Sequence, residues 1–326
     1  MRRSNRAMLA VMGALSATGS APAFPPSSSG GTGGGTIYYT YAGVLNTMNS
    51  DGSNKAALPA GVLGEPSYAL HGPASDRWFL HIANGELYAV RGDAAIDVQL
   101  TDALDGITVL GESSTPSWAK NDPSTTTVNE ADSFVSFVGT DGGDMEAIYV
   151  ADVAFDAAGV PALTSAAEAV VLDPDINNFD WAPNGVQVAY ARSATGNCGT
   201  IGCPQIYVYT VGGASYLLTD GSRVAWSPSG AKLAFRTNGF IGDIATINPD
   251  GSGRVTIATG HAGQYITLNT PKWSPGSTHL IYHRSGGWGS NVSEVYRTSA
   301  TGGGTANLTS DLPTTFVNPA VPVAWR

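Results

Sequence analysis

Residues 223–260, RVAWSPSGAKLAFRTNGFIGDIATINPDGSGRVTIATG, decide the fold. An apolar run reaches Trp226, SPSG makes a tight turn, AKLAF alternates toward a strand, and DIATIN is followed by Pro249, Asp250, Gly251, Ser252 and Gly253. Each break is a cluster of Gly, Pro, Asn or Asp, the residues that accommodate turn dihedrals. The stretch therefore predicts four short strands, one complete sheet. A lone sheet of this size exposes two faces and two edges, so its apolar residues are buried only if similar units stack on either side.

Those units are present. Downstream, TPKWSPGSTHLIYHRS places Tyr282 nine residues after Trp273, the offset that separates Phe235 from Trp226, and upstream FDWAPNGVQVAYARS repeats it with Trp181 and Tyr190. Two earlier copies are less regular: TPSWAKND around Trp118 leads to SFVSFVG and EAIYVADV, and EPSYALHG around Tyr68 leads to RWFLHIANGELYAV. A sixth unit is divided between the chain ends. PVAWR, with Trp325, holds only a first strand, and IYYTYAGVLNTMNSDGSNKAAL, from Ile37, holds only the other three. The chain is thus predicted to be all-β, a six-bladed β-propeller of four-stranded antiparallel blades, closed by pairing the N-terminal strands with the C-terminal strand. Closure leaves no free edge at the seam. A sandwich or two-domain β protein is the alternative, but it does not explain why the strands missing at one end match those supplied by the other. A large aromatic at one site per repeat reads as packing between neighbouring sheets.

At WSPSGAKLAF followed by INPDGSG the chain resembles the TolB-type, WD40-like (PD40) β-propeller family, over nearly all of its length after residue 36. The resemblance implies the propeller fold. It leaves function open, because family members include periplasmic scaffolds, propeller domains attached to peptidases and sugar-degrading enzymes. Proteins similar to TolB itself carry an N-terminal α/β domain, and nothing between Phe24 and Thr36 could form one, so a role in the Tol-Pal envelope system is not expected.

Residues 1–23 carry Arg2, Arg3 and Arg6, an apolar run AMLAVMGALSA and small residues ending Ala21, Pro22, Ala23, the layout of a cleavable signal peptide. The paired arginines suit a twin-arginine route and the remainder suits the ordinary secretory route. The run is too short for a permanent membrane anchor, and no Cys stands at the cleavage point to take a lipid. Residues 24–36 form a Gly/Ser/Pro-rich linker with PPSSSGGTGGGT at its core, and 37–326 the propeller. Cleavage takes the net charge from −10 to −13. That balance argues against nucleic acid and against anionic membrane surfaces as partners. The expected localisation is periplasmic or secreted. Only 13% of residues are charged, and 41 glycines and 19 prolines fit many short strands and turns.

Cys198 and Cys203 share the insertion GNCGTIGCPQ between the second and third strands of the Trp181 blade. In an exported protein such a pair reads as a local disulfide that stiffens its loop by roughly 2 kcal/mol or somewhat more. Metal binding by the pair is the sharper alternative, and no partner His or Cys lies nearby.

In propeller topology the loops between second and third strands, and the blade-to-blade connections, emerge on one face around the channel mouth, the default binding surface. The repeat places Arg192, Arg236, His283 and Arg284 at the ends of second strands, with Phe240, Trp288 and the cysteine loop just beyond. His261, Gln264 and Tyr265 fall on the connection before Trp273, and Asp173, Asp175, Asp220 and Glu112 on other connections. Arginines bind carboxylates in a bidentate manner, Trp288, Phe240 and Tyr265 offer flat faces to a ligand, and His283 or His261 could serve as acid/base in a lyase or hydrolase acting on an acidic glycan. The opposing expectation is that the arginines pair with neighbouring aspartates and the aromatics cap the channel. His71, His81 and His279 fall at mid-strand or opposite-face positions. GTDGGDME, with Asp141, Asp144 and Glu146, has the oxygen ligands of a calcium loop without EF-hand spacing, so it reads first as a turn. NSDGSN and NPDGSG are hairpin turns. There is no G-x-S-x-G elbow, H-E-x-x-H, P-loop or dinucleotide fingerprint, so no cofactor is expected. The sequence thus leads to an exported non-catalytic scaffold that binds an envelope or extracellular protein, or a glycan, at its channel face. An enzyme acting on an acidic glycan is the alternative.

Overall fold

The structure is a computed structural model that describes residues 34–58, 78–91, 96–102, 106–110, 116–119, 133–142, 146–173, 175–194, 203–238, 241–260, 264–266, 270–286, 293–313 and 319–325. The predicted signal peptide and most of the linker lie outside the described residues, as does the Tyr68 anchor. All elements among the described residues are strands, arranged in six antiparallel sheets.

The reference stretch forms the fifth blade from Ser222–Trp226, Leu233–Arg236, Asp243–Ile247 and Val255–Thr259, in that spatial order. The fourth blade repeats it with Ile176–Trp181, Gln187–Ala194, Cys203–Thr210 and Ser215–Asp220. In the third blade the innermost position is divided into Thr108–Val109 and Ser117–Ala119, both paired with Ser133–Thr140. Its outermost position is likewise divided into Pro161–Leu163 and Glu168–Leu172, both paired with Ala147–Phe155. The sixth blade has its innermost position split into Gln264–Ile266 and Lys272–Trp273, ahead of His279–Gly286, Ser293–Ser299 and Ala306–Asn307. The second blade shows Trp78–Ala83, Glu86–Arg91 and Ile96–Gln99.

The first blade is stitched from both chain ends as the sequence requires. Ala320–Trp325 pairs with Thr36–Tyr41, bringing Trp325 opposite Ile37 and Ala324 opposite Tyr38, and Val44–Asn49 and Ala56–Ala57 complete the sheet. Six apolar clusters then join the six sheets in a ring. One lies at each junction: Tyr38 and Phe79 between blades one and two, Leu80 and Val135 between two and three, and Val138 and Tyr190 between three and four. Val208 and Phe235 join four and five, Ala234 and Tyr282 five and six, and Ile281 and Ile37 six and one. Because side chains alternate along a strand, each blade presents one apolar set to each neighbour.

The anchor tryptophans are interface residues. Trp181 reaches back from blade four to donate its indole N–H to Ser136 Oγ of blade three at 3.0 Å, and Trp273 from blade six donates to the Ala225 carbonyl of blade five at 3.1 Å. Trp325 packs with Ile281 and Val295 of blade six and donates to the Gly34 carbonyl at 2.7 Å. Burying such an aromatic contributes about 2–3 kcal/mol, and the paired N–H removes the penalty of hiding a polar atom.

Candidate functional site

The face in question carries the ends of the second strands and the starts of the third. In blade four, Arg192 forms an ion pair with Asp173, which sits on the connection from blade three. Tyr190 donates its hydroxyl to the other oxygen of Asp173 at 3.0 Å, and Arg192 Nη2 donates to Tyr207 Oη at 3.0 Å. The guanidinium also lies 4.5 Å from the Tyr207 ring centre, and Tyr207 stacks on Tyr190 at 5.7 Å. Tyr207 in turn donates to Gln205 at 3.1 Å. The bond to Asp173 holds Arg192 more firmly charged than a free guanidinium, and burial beside Asp173 pushes the Tyr190 hydroxyl up to about 12. This arginine is the structural pair that the sequence offered as the alternative to a ligand site.

Blade six repeats the arrangement. Tyr282 stacks on Tyr296 at 5.9 Å, Arg284 lies 4.7 Å above the Tyr296 ring, and Tyr296 donates to Glu294 at 3.0 Å. Arg284 is buried and donates from Nη2 to the Thr259 carbonyl of blade five at 2.9 Å. Tyr190-x-Arg192 with Gln205-x-Tyr207, and Tyr282-x-Arg284 with Glu294-x-Tyr296, are thus one motif used twice. Sequence reasoning missed it, although the two Tyr-x-Arg segments stand at the same offset from their tryptophans.

Arg236 is buried in blade five and donates from Nη1 to the Thr237 carbonyl at 3.3 Å. Burial pulls its guanidinium below the ordinary value, partly offset by Asp243. The backbone wraps it closely: Gly242, at φ +63°, leaves no room for a Cβ, which would fall 2.5 Å from Arg236 Nε. By strand alternation Arg236 shares the side of Ala234, and Arg284 the side of Tyr282, so both arginines occupy the junction of blades five and six.

His283 points the other way. It shares the strand face of Ile281 and lies opposite Val295, at the junction of blades six and one, and its Nε2 lies 2.6 Å from Ser293 Oγ. Burial pushes its pKa down to about 4, so the ring is neutral at pH 7. The four described candidates therefore fall at three different junctions: Arg192 between three and four, Arg236 and Arg284 between five and six, His283 between six and one.

His261, Phe240, Trp288, Asp144, Glu112, His71 and Cys198 lie outside the described residues, and so do the side chains of Tyr265, Gln264 and Cys203. The predicted disulfide and glycan-stacking surface fall among them. The connection expected to carry Gln264 and Tyr265 is itself a strand, Gln264–Ile266, paired with Gly286–Arg284, because the long second strand of blade six offers a free edge beyond Trp273. His81 stacks on Tyr88 at 5.1 Å and meets Asp97 at 3.0 Å, and burial pushes the His279 pKa down. Asp175 has a positive φ of 60° at the blade connection, and Asp220 accepts from Gln205 at 3.4 Å. Burial, with Asp175 adding to it, raises the Glu146 carboxyl, and no group of three or more potential metal ligands occurs among the described residues.

No protein-family profile and no curated protein matches the chain. Among solved structures it is similar to TolB from Acinetobacter baumannii, with a TM-score of 0.57 and 15% identity over 89% of this chain and 66% of that one. The chain thus spans just under two thirds of that protein. It is also similar to an oligogalacturonate lyase from Vibrio parahaemolyticus (TM-score 0.45, 11% identity, 83% of this chain and 73% of that one). A putative 6-phosphogluconolactonase from Bacteroides uniformis matches at TM-score 0.44 and 13% identity, over 89% and 96%. At these identities the likeness is one of fold, and the first of the three carries it.

Proposed function

We propose that the chain is an exported, non-catalytic propeller scaffold that binds an envelope or extracellular protein with the face formed by its blade connections and second-to-third-strand loops. Export rests on the three arginines and apolar run of residues 1–23, with the protein released to the periplasm or beyond. The observation that supports a scaffold is the dispersal of Arg192, Arg236, Arg284 and His283 over three blade junctions, each held by neighbours. A general acid must reach its substrate and hold a proton near working pH, and His283 is buried and neutral. The fold shared with TolB supports the same reading.

A second reading, an enzyme acting on an acidic glycan, draws on the two arginines and two tyrosines at the junction of blades five and six. Both are tested together. Purified protein is expected to release no unsaturated uronate from oligogalacturonate, and to retain from envelope extract a discrete protein that the Arg192→Glu variant no longer retains. Uronate release that His283→Ala or His261→Ala abolishes would overturn the scaffold.

A further inference from the structure

The chain contains three Asn-Gly dipeptides, at residues 84–85, 184–185 and 238–239. Such a pair can cyclise when the glycine nitrogen attacks the side-chain carbonyl carbon of the asparagine, because glycine has no Cβ to hinder the approach. The fold treats the three differently. Gly185 donates its N–H to the Ala182 carbonyl at 2.9 Å, and Asn184 is tied at both ends of its amide, accepting from the Val186 N–H at 3.1 Å and donating to Gln187 Oε1 at 3.3 Å. Asn238 donates from Nδ2 to the Pro204 carbonyl of blade four at 3.1 Å, and its Oδ1 is buried. At both places cyclisation has to break an existing bond.

Asn84 and Gly85 carry no such restraint. They form the two-residue loop between Trp78–Ala83 and Glu86–Arg91 of blade two, where Ala83 pairs with Glu86. Both have positive φ, 54° and 79°, which makes the loop a type I′ turn. Asn84 is exposed, and among the described residues neither its side chain, nor its carbonyl, nor the Gly85 N–H has a hydrogen-bond partner. The loop is anchored instead through the Gly85 carbonyl, which accepts the Val109 N–H of blade three at 2.9 Å. Ring closure requires the Gly85 nitrogen to eclipse Asn84 Cβ, at a ψ of about −120°, which is the value at the first central position of a type II′ turn. Turning over the Asn84–Gly85 peptide plane converts one turn type into the other. It keeps the Asn84 φ positive, the strand register intact and the Gly85 carbonyl on Val109, so no bond has to break.

We propose that Asn84–Gly85 is a self-modification site, at which the folded chain converts its own asparagine to a mixture of aspartate and isoaspartate. The Gly85 nitrogen bonds to Asn84 Cγ, the Cγ–Nδ2 bond breaks, and the amide leaves as ammonia with the Gly85 proton, so that a cyclic imide remains. Water is the only co-reactant. Its addition at Cγ releases the ring as aspartate, and its addition at the backbone carbonyl carbon releases it as isoaspartate, with no change of oxidation state. Either product adds a negative charge, and isoaspartate also routes the backbone through Cβ and Cγ, lengthening the loop by one atom. Because a two-residue loop sets the register of its hairpin, that atom displaces the Gly85 carbonyl from Val109 and loosens the junction of blades two and three. The loop joins a second strand to a third, so it lies on the face proposed above for a partner, but the chemistry does not depend on that role.

The full protein is incubated at pH 8 and 37 °C in water enriched in oxygen-18, and peptides spanning the three dipeptides are followed by mass spectrometry. Isoaspartate is read separately, by enzymatic methylation of its α-carboxylate. Asn84 is expected to convert at least tenfold faster than Asn184 or Asn238, to take up one heavy oxygen, and to yield isoaspartate. In urea, where the turns are lost, the three are expected to react at similar rates. Equal rates in the folded protein, or an Asn84 that persists while the urea-treated chain reacts, would overturn the site. Asn84→Asp adds the charge without lengthening the loop, so it is expected to keep the melting temperature of the starting protein while aged protein melts lower. Aged protein that melts with Asn84→Asp would overturn the loosening of the junction.

Discussion

His283 shows how a single side chain decides between readings. Its unfolded pKa is near 6.5 and its folded value about 4, so between those values the unfolded chain binds a proton that the folded chain does not. Stability is therefore full above pH 6.5 and falls as pH drops toward 4, by an amount on the order of 3 kcal/mol. His283→Gln is expected to flatten this part of the denaturation-midpoint profile against pH, and an unchanged profile would contradict its burial. Arg192 and Asp173 test the same principle for a pair. Asp173→Asn removes the charge that Arg192 and Tyr190 both use, at an expected cost of about 1–3 kcal/mol in urea unfolding.

Within a blade, the elements were legible because their signals are local. Trp226, the SPSG turn, Phe235 and the Asn-Pro-Asp-Gly turn fix four strands by composition alone, and Trp181 and Trp273 repeat the frame. Second-strand ends were legible for the same reason, so Arg192, Arg236, His283 and Arg284 stand where the repeat puts them. Which junction each side chain enters was not legible, because Arg236 and Arg284 differ by one residue in their offset from the anchor, and one residue changes the face of a strand. Asp173 as the partner of Arg192 was hidden because it comes from the connection that leaves another blade. The corner between blades four and five gives an element-scale prediction. Gly221 has φ +151°, and a Cβ there would fall 2.6 Å from a Phe235 ring carbon and 2.9 Å from the Arg236 carbonyl oxygen. Gly221→Ala is expected to cost on the order of 2 kcal/mol or more in the same unfolding measurement.

For the whole molecule, stability depends on closure, since six junctions hold six sheets only if the ring is complete. Removing residues 320–326 would delete the innermost strand of blade one together with Trp325, leaving Thr36–Tyr41 as an open edge beside Ile281 and Val295. Loss of cooperative unfolding and aggregation are the expected results, read by calorimetry and light scattering. Closure itself is most directly tested by a cross-link between the chain ends. Thr40 and Val321 are paired across the seam, at a spacing compatible with a disulfide. In the double variant Thr40→Cys, Val321→Cys, a closed ring requires that the bond form under mild oxidation in the folded monomer and raise the melting temperature. Two thiols that remain free in folded protein, or that link only between molecules, would contradict the ring.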